Sequence, residues 1–543
     1  MEKKKQFLMK QKEHLNRGKR GVLSVIFGRT GILLILILLQ MGLLLVGFRF
    51  LSNYVFAIYG GSIFLGFVLS VYLINRKGNP AFKIAWMVPI LTVPVFGALF
   101  YLYFHLQMES HLLNQKVVKE VARTASLSEQ KEEDWSALEK ESAQMANMVS
   151  YLRKVSNSAV HTNTTARYYP SGESAFDVIL QELSAAKHYI FIEFFIVDQG
   201  YMWETILEIL RAKVREGVEV RIMYDGMSDY FRLPVHYARH LNEEGIKCQV
   251  FSPIVPLLST VQNNRDHRKI MVVDGHTAFT GGINLADEYI NQKERFGYWK
   301  DACLMLKGDA VRDFTLMFLQ MWNVVEYVKL PRAEREKADD HLLEEYRRYI
   351  QMPIPKCSEE GKGFVIPYDD NPLDDEQVGE LVYLDILNTA KKYVHIMTPY
   401  LVLDHNMIVA LTYAAKRGVD VKIIMPHIPD KKYAFILART FYNELLDAGV
   451  EIYEFLPGFV HSKVFVSDDE KAVVGSINMD FRSLYLSFEC AALLYKNKEI
   501  STIEADFQES LKSCEKVTKE VYNSLPAWEK LAGSLLRLFA PLM

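Results

Sequence analysis

Polar and apolar positions divide the chain into blocks of different character. Three stretches without a charged residue, 31–48, 54–74 and 84–107, hold 18, 21 and 24 residues. At about 1.5 Å per helical residue, each approaches or exceeds the ~30 Å core of a bilayer. Residues 31–107 are therefore expected to form a membrane region with two or three transmembrane helices, although Pro89 and Pro94 interrupt the third stretch. A basic segment, 1–30, precedes it. Residues 108–160 are charged, with Leu and Met at helical spacing, and read as a solvated helical linker.

From residue 161 the pattern changes to short β-branched and aromatic runs alternating with helical periods, and it occurs twice. The run 189–195 returns at 393–398. The segment 215–223 returns at 416–424, each time with a Gly (Gly217, Gly418) that ends a helix before a strand. The segment 245–251 returns at 449–455. The offset is 201 to 204 residues throughout, too long for a solenoid repeat. The expected fold class is α/β, with two homologous domains, 161–330 and 364–543, packed face to face and joined by a linker, 331–363.

Composition adds exclusions. A chain of 543 residues with 12% aromatics can bury large cores and is not disordered. Five Cys without a C-x-x-C pair suggest neither a disulfide framework nor a zinc ribbon. The net charge of −3 hides an asymmetry: residues 1–107 carry 13 Lys/Arg against two acids, and the remainder 50 against 64. An acidic body argues against nucleic acid as a partner. Positive charge at the N-terminus and between the second and third stretches places both on the cytoplasmic side of a cell membrane. The side that holds the body depends on whether two or three stretches span.

The chemistry lies in a motif found in both halves. His267, Lys269 and Asp274 are followed by Gly281-Gly282 and Asn284; His461, Lys463 and Asp468 are followed by Gly475-Ser476 and Asn478. Both read H-x-K-x4-D, and His-to-Asn is 17 residues in each. On a strand, His and Lys at i and i+2 share a face and can converge on one anion. By the same parity Asp274 and Asp468 fall off that face, which suits structural hydrogen bonding. Two ammonium groups and two amides suit a phosphodiester, where one imidazole attacks while the other protonates the leaving oxygen. Lys supplies positive charge, and Lys and Asn are poor metal ligands, so no metal or other cofactor is expected.

These two copies resemble the phospholipase D superfamily. The order of features, with 79–86 before the body, 281–289 and 478–483 after the motifs and 534–542 at the end, resembles the bacterial cardiolipin synthases from about residue 54 onward. The resemblance implies phosphatidyl transfer between two phosphatidylglycerol molecules, giving cardiolipin and glycerol through a phosphohistidine. It implies His267 as nucleophile and His461 as general acid, with Lys269, Lys463, Asn284 and Asn478 binding phosphoryl oxygens. It includes Asp274 and Asp468 in the motif, and implies a carboxylate that orients each His, for which Asp301 and Glu489 are the candidates. Phosphatidylglycerol and cardiolipin in the membrane are the expected partners. A lipid hydrolase with water as acceptor is the alternative. The C-terminal residues 528–543, rich in Leu and Phe, suit either the bilayer surface or packing on the second domain.

Overall fold

The computed structural model describes residues 55–105, 109–254, 263–330, 342–357, 363–374 and 376–542, together with Leu39 and Gly42. The basic segment 1–30 and, those two residues apart, the stretch 31–48 lie outside them. The chain divides into two compact units, an N-terminal one reaching residue 111 and a body that takes nearly all the rest.

In the N-terminal unit the second apolar stretch forms one helix, Val55–Asn75, without an acidic or basic residue. The third stretch does not form one helix. Asn79 caps Pro80–Thr92 by accepting from the Ala81 N–H (2.9 Å), and Pro94–His105 follows after a break at Val93. Pro94 has no N–H to continue the ladder. Gly97 sits so close to the Pro89 carbonyl that any Cβ would overlap it. Trp86 packs on Phe100, Tyr101 and Phe104, the last at 5.9 Å between ring centroids. In one continuous helix Trp86 and Phe104 would stand about 27 Å apart, so the stretch folds back as a hairpin. Leu69, Leu73, Ile90, Ala98 and Tyr101 form the buried seam of the unit. Taking described side chains alone, no helix is long and apolar enough to cross a membrane; Val55, Phe56 and Ile58 fall outside them.

The body holds two sheets of the same design. The first contains β1 (Thr164–Tyr169), β2 (Tyr189–Phe194), β3 (Glu219–Asp225), β4 (Lys247–Phe251), β6 (Lys269–Val273), β7 (Thr277–Gly281) and β9 (Cys303–Gly308), in the order β1-β9-β7-β6-β2-β3-β4. The second contains β10 (Phe364–Asp370), β11 (Tyr393–Met397), β13 (Asp420–Pro426), β14 (Glu451–Phe455), β16 (Val464–Ser467), β17 (Lys471–Gly475), β19 (Ser487–Tyr495) and the edge strand β20 (Cys514–Lys516). Its order, β10-β19-β17-β16-β11-β13-β14-β20, repeats the first position by position. Strands β2, β3 and β4 run parallel, and so do β11, β13 and β14. Tyr189–Phe194 is buried at every position, as expected of a strand covered on both faces. The first sheet's core runs through Ile190, Ile192, Ile222, Met271 and Trp203.

Residues 109–156 differ from the solvated linker expected. The helices Glu132–Glu141 and Ala143–Ser156 bury Leu138, Val149 and Leu152 completely. Apart from the buried Asp134, their charged residues lie at or near the surface and mask an apolar seam that the body covers. The helix Leu342–Ile350, inside the expected linker 331–363, docks Tyr349 on Phe191 and donates a hydrogen bond from the Tyr349 hydroxyl to Glu219 (2.7 Å).

Candidate active site

Short strands at the meeting of the two halves carry the motif histidines. β5 (Arg265–Asp266) pairs in parallel with the start of β19, and the next residue, His267, donates its N–H to the Phe488 carbonyl (2.9 Å). β15 (Gly458–Val460) pairs in parallel with β8 (Tyr298–Lys300), and the next residue, His461, donates its N–H to the Lys300 carbonyl (2.7 Å). Each histidine is therefore tied to the residue just before a carboxylate of the opposite half: Phe488 precedes Glu489, and Lys300 precedes Asp301.

The side chains complete the crossing. Nδ1 of His267 lies 2.9 and 3.0 Å from the two Glu489 oxygens. Nδ1 of His461 lies 2.7 Å from Asp301 Oδ2. A carboxylate acceptor holds the proton on Nδ1 and leaves Nε2 free to act. Both carboxylates are fully buried. Lys269 Nζ donates to the carbonyl of His267 (2.6 Å), and Lys463 Nζ makes the same bond to His461. The i, i+2 parity thus brings each ammonium beside its own histidine.

An aromatic frame, not evident from the motifs, surrounds the imidazoles. Phe195 stands edge-on to His267 at 5.0 Å, and Lys269 lies 5.9 Å from the same ring. Tyr289, Trp299 and Phe459 enclose His461 at 5.3, 5.4 and 5.8 Å. Asn284 is fixed in this frame: its Oδ1 accepts from the Ile196 N–H (3.0 Å) and its Nδ2 donates to the Tyr289 hydroxyl (2.8 Å). Asn478, at the matching position, is buried with its Oδ1 unpartnered.

The halves are not identical. Gly282 and Ser476 follow their histidines by the same interval. A Cβ at Gly282 would overlap Asp301 Oδ1, so only Gly admits that carboxylate. At Ser476 the hydroxyl donates to Glu489 Oε2 and accepts from the Cys490 N–H (3.0 Å). Sequence reading passed over Ser476, although its place opposite Gly282 was the available signal.

Asp274 and Asp468, grouped with the catalytic residues by their motif, face elsewhere. Asp274 accepts from the backbone N–H groups of Lys187, His188 and Tyr189 at 2.7, 2.7 and 2.9 Å. Asp468 accepts from Lys391, Lys392 and Tyr393 at 2.7, 2.8 and 3.0 Å. Both occupy left-handed backbone (φ 50° and 58°) at the turn that closes the motif strand, at its far end from the histidine. They tie down the start of β2 and of β11, and their oxygens are spent on that bonding.

Burial and cations set the electrostatics. Burial, then Lys269, Lys463 and Lys431, hold His267 well below its ordinary range. Burial and Lys463 bring His461 down to about 4, with Asp301 pulling the other way. Burial lowers Lys269 to about 8 against the pull of Glu489. Burial lowers Lys463 to about 7, with Lys269 adding to the shift and Asp301 opposing it. Burial raises Glu489 to about 7, although Lys269 and Ser476 pull it down. Burial would also raise Asp301, but His461 and Lys463 hold it below the usual carboxylate value. Burial and mutual repulsion disfavour the charged forms of both lysines and both imidazoles, and a nearby phosphodiester anion would favour all four.

A family model described as cardiolipin synthase, PLD-like domain, matches residues 179–322 and 383–511, which contain both motifs. A cardiolipin synthase of Geobacillus sp. is 34% identical over 483 residues, covering 89% of this chain and 92% of its own length. The chain belongs to the cardiolipin synthase family. Cardiolipin synthase 2 of Bacillus anthracis is 33% identical over 477 residues, 87% of this chain and 88% of that one. An uncharacterized protein of Streptococcus mutans is 47% identical over 475 residues, 87% of this chain and 99% of that one. A family described as phospholipase D-nuclease N-terminal matches residues 64–104. The crystal structure of a phosphatidylserine synthase from Haemophilus influenzae covers 74% of this family member and 98% of its own chain, at a TM-score of 0.54 and 15% identity, and has the same fold.

Proposed function

We propose that the protein is a cardiolipin synthase that moves a phosphatidyl group from one phosphatidylglycerol to another through a covalent bond to His267. The observation that carries this reading is the crossed pair of contacts, His267 with Glu489 and His461 with Asp301. It supports one site shared by the halves, with both imidazoles held through the same nitrogen.

His267 is neutral, and its free Nε2 attacks the donor phosphorus. The P–N bond forms, the P–O bond to glycerol breaks, and His461 delivers a proton to the departing glycerol oxygen. The terminal hydroxyl of a second phosphatidylglycerol then attacks, His461 removes its proton, the P–N bond breaks, and cardiolipin leaves. The two orienting carboxylates differ in a way that suits these roles. Asp301 stays ionised and supports an imidazolium at His461, whereas Glu489, raised to about 7, can accept the Nδ1 proton of His267 as the P–N bond forms. The substrate's negative charge opposes the burial and the Lys463 repulsion that lower His461, which favours the charged acid in the complex. Lys269 and Lys463 hold the phosphoryl oxygens in a site largely shut off from water.

Glycerol as acceptor reverses the reaction, since one phosphodiester replaces another. We place the N-terminal unit in the cell membrane as its anchor. Phe64, Phe67, Ile74, Ile84 and Leu91 are all exposed there, on helices with few charges, which supports apolar surroundings. Purified protein incubated with phosphatidylglycerol tests the function: cardiolipin and glycerol in equal amounts are expected, and phosphatidic acid as main product would make the protein a hydrolase.

A further inference from the structure

The C-terminal helix Ala527–Phe539 carries three charged residues, and each reaches a partner on a neighbouring segment, Arg537 while 43% exposed. Glu529 accepts from Arg439 (3.0 Å). Arg537 lies over the Phe441 ring (4.4 Å) and 3.9 Å from Glu444. Lys530 donates to the Asn523 carbonyl (2.9 Å) and lies over the Tyr522 ring. On the packed side Gly533 meets Thr440 and Ile436 of the helix Lys432–Asp447, where a Cβ would collide. The outward stripe is apolar: Trp528, Leu531, Leu535, Leu538 and Phe539 are 64, 64, 55, 41 and 42% exposed. A helix facing water has the opposite polarity, with charges outward and apolar residues against the protein. This helix is held by its charges and by one glycine, and leaves its apolar stripe free.

The underlying helix leads to the site. It starts directly after Lys431, which lies over the Tyr400 ring (5.2 Å) and whose charge reaches His267. Next to Lys431, Ile428 and Tyr433 are exposed, as are Lys431 and Lys432. Apolar tips beside exposed ammonium groups complement a surface of anionic lipid. A lipid phosphodiester whose chains remain in the bilayer is reached only by an enzyme that brings the rim of its site to the headgroups.

We propose that the Ala527–Phe539 helix lies in the headgroup layer of an anionic bilayer and, with Ile428 and Tyr433, seats the mouth of the site on the lipid surface. This rests on the lipid substrate proposed above.

The test uses the full chain in vesicles of equal phosphatidylglycerol and phosphatidylcholine, with a fluorophore on Leu531→Cys and, as control, on Ser501→Cys of the helix Glu499–Leu511. Nitroxide-bearing lipids are expected to quench position 531 at least threefold more than position 501. Equal quenching overturns the proposal, and so does a label at 531 shielded from both nitroxide lipid and aqueous iodide, which would mean a protein cover. In a second measurement, Leu531→Ser/Leu535→Ser should convert vesicle phosphatidylglycerol about tenfold more slowly while converting monodisperse short-chain phosphatidylglycerol at the parent rate. Equal losses on both substrates overturn the surface role. If the parent chain fails to convert the short-chain lipid, the substrate reading fails, while the quenching still decides where the helix lies.

Discussion

Asp301 accepts a hydrogen bond from His461, 160 residues further along the chain and in the other half of the duplicated body, at 2.7 Å. The site proposed above therefore draws on both halves. Asp301→Asn keeps the shape and the bond from the Ala302 N–H (2.8 Å) but loses the charge that supports an imidazolium. Turnover should fall roughly 10²–10⁴-fold with the circular dichroism spectrum unchanged. A loss below tenfold would show that His461 does not need this carboxylate.

Gly282→Ala should act on the same contact from behind. The added Cβ overlaps Asp301 Oδ1 and comes within 2.9 Å of the His461 carbonyl. Overpacking of this kind typically destabilises by about 1–3 kcal/mol. Thermal unfolding should shift down by a few degrees, and activity should fall more than tenfold even where the protein is fully folded. Ser476→Ala adds no bulk and removes the donor to Glu489, so its loss of activity should be smaller.

The lysines predict different alkaline limits for free and loaded enzyme. Lys463 titrates at about 7 and Lys269 at about 8, both lowered first by burial. As pH rises through 7–8 the free enzyme loses the charges that hold phosphate, so kcat/KM should decline there. A bound phosphodiester favours the ammonium forms, so kcat should hold to higher pH. The linkage to stability has the matching sign. A lysine with a depressed folded pKa binds its proton more strongly when unfolded, so the pair should relieve a destabilisation as pH rises from about 7 toward 10. Parallel declines in kcat and kcat/KM would contradict this assignment.

Asp274→Ala separates structure from chemistry. It removes the acceptor of three backbone N–H bonds at the start of β2, and hydrogen bonds to a charged group contribute about 1.5–3 kcal/mol each. Unfolding by urea should show a large loss of stability, while the folded fraction keeps its specific activity. Loss of activity without loss of stability would return Asp274 to the site.

Much of this arrangement was legible in the sequence, and the limits have physical reasons. The duplicated strand runs and the 17-residue motif spacing follow from local patterning, and the two sheets carry that repeat in their strand order. Strand parity also predicts that Asp274 leaves the His–Lys face. The crossing of partners was not legible, because it depends on pairings of two or three residues, β5 with β19 and β15 with β8, that have no local signature. The prolines of the third apolar stretch announce a break, but the fold-back needs the contact between Gly97 and the Pro89 carbonyl. The charges of residues 108–160 hid the seam that buries Leu138 and Val149.

The shared site can be examined most directly by trapping the intermediate. In rapid quench of the parent enzyme during turnover, phosphatidylglycerol labelled in its phosphate should leave label on the protein, acid-labile and alkali-stable as a phosphoramidate, and peptide mapping should locate it on His267. Label on any other residue, or turnover without a covalent species in rapid quench of the parent enzyme, would contradict two histidines dividing nucleophile and acid between the halves.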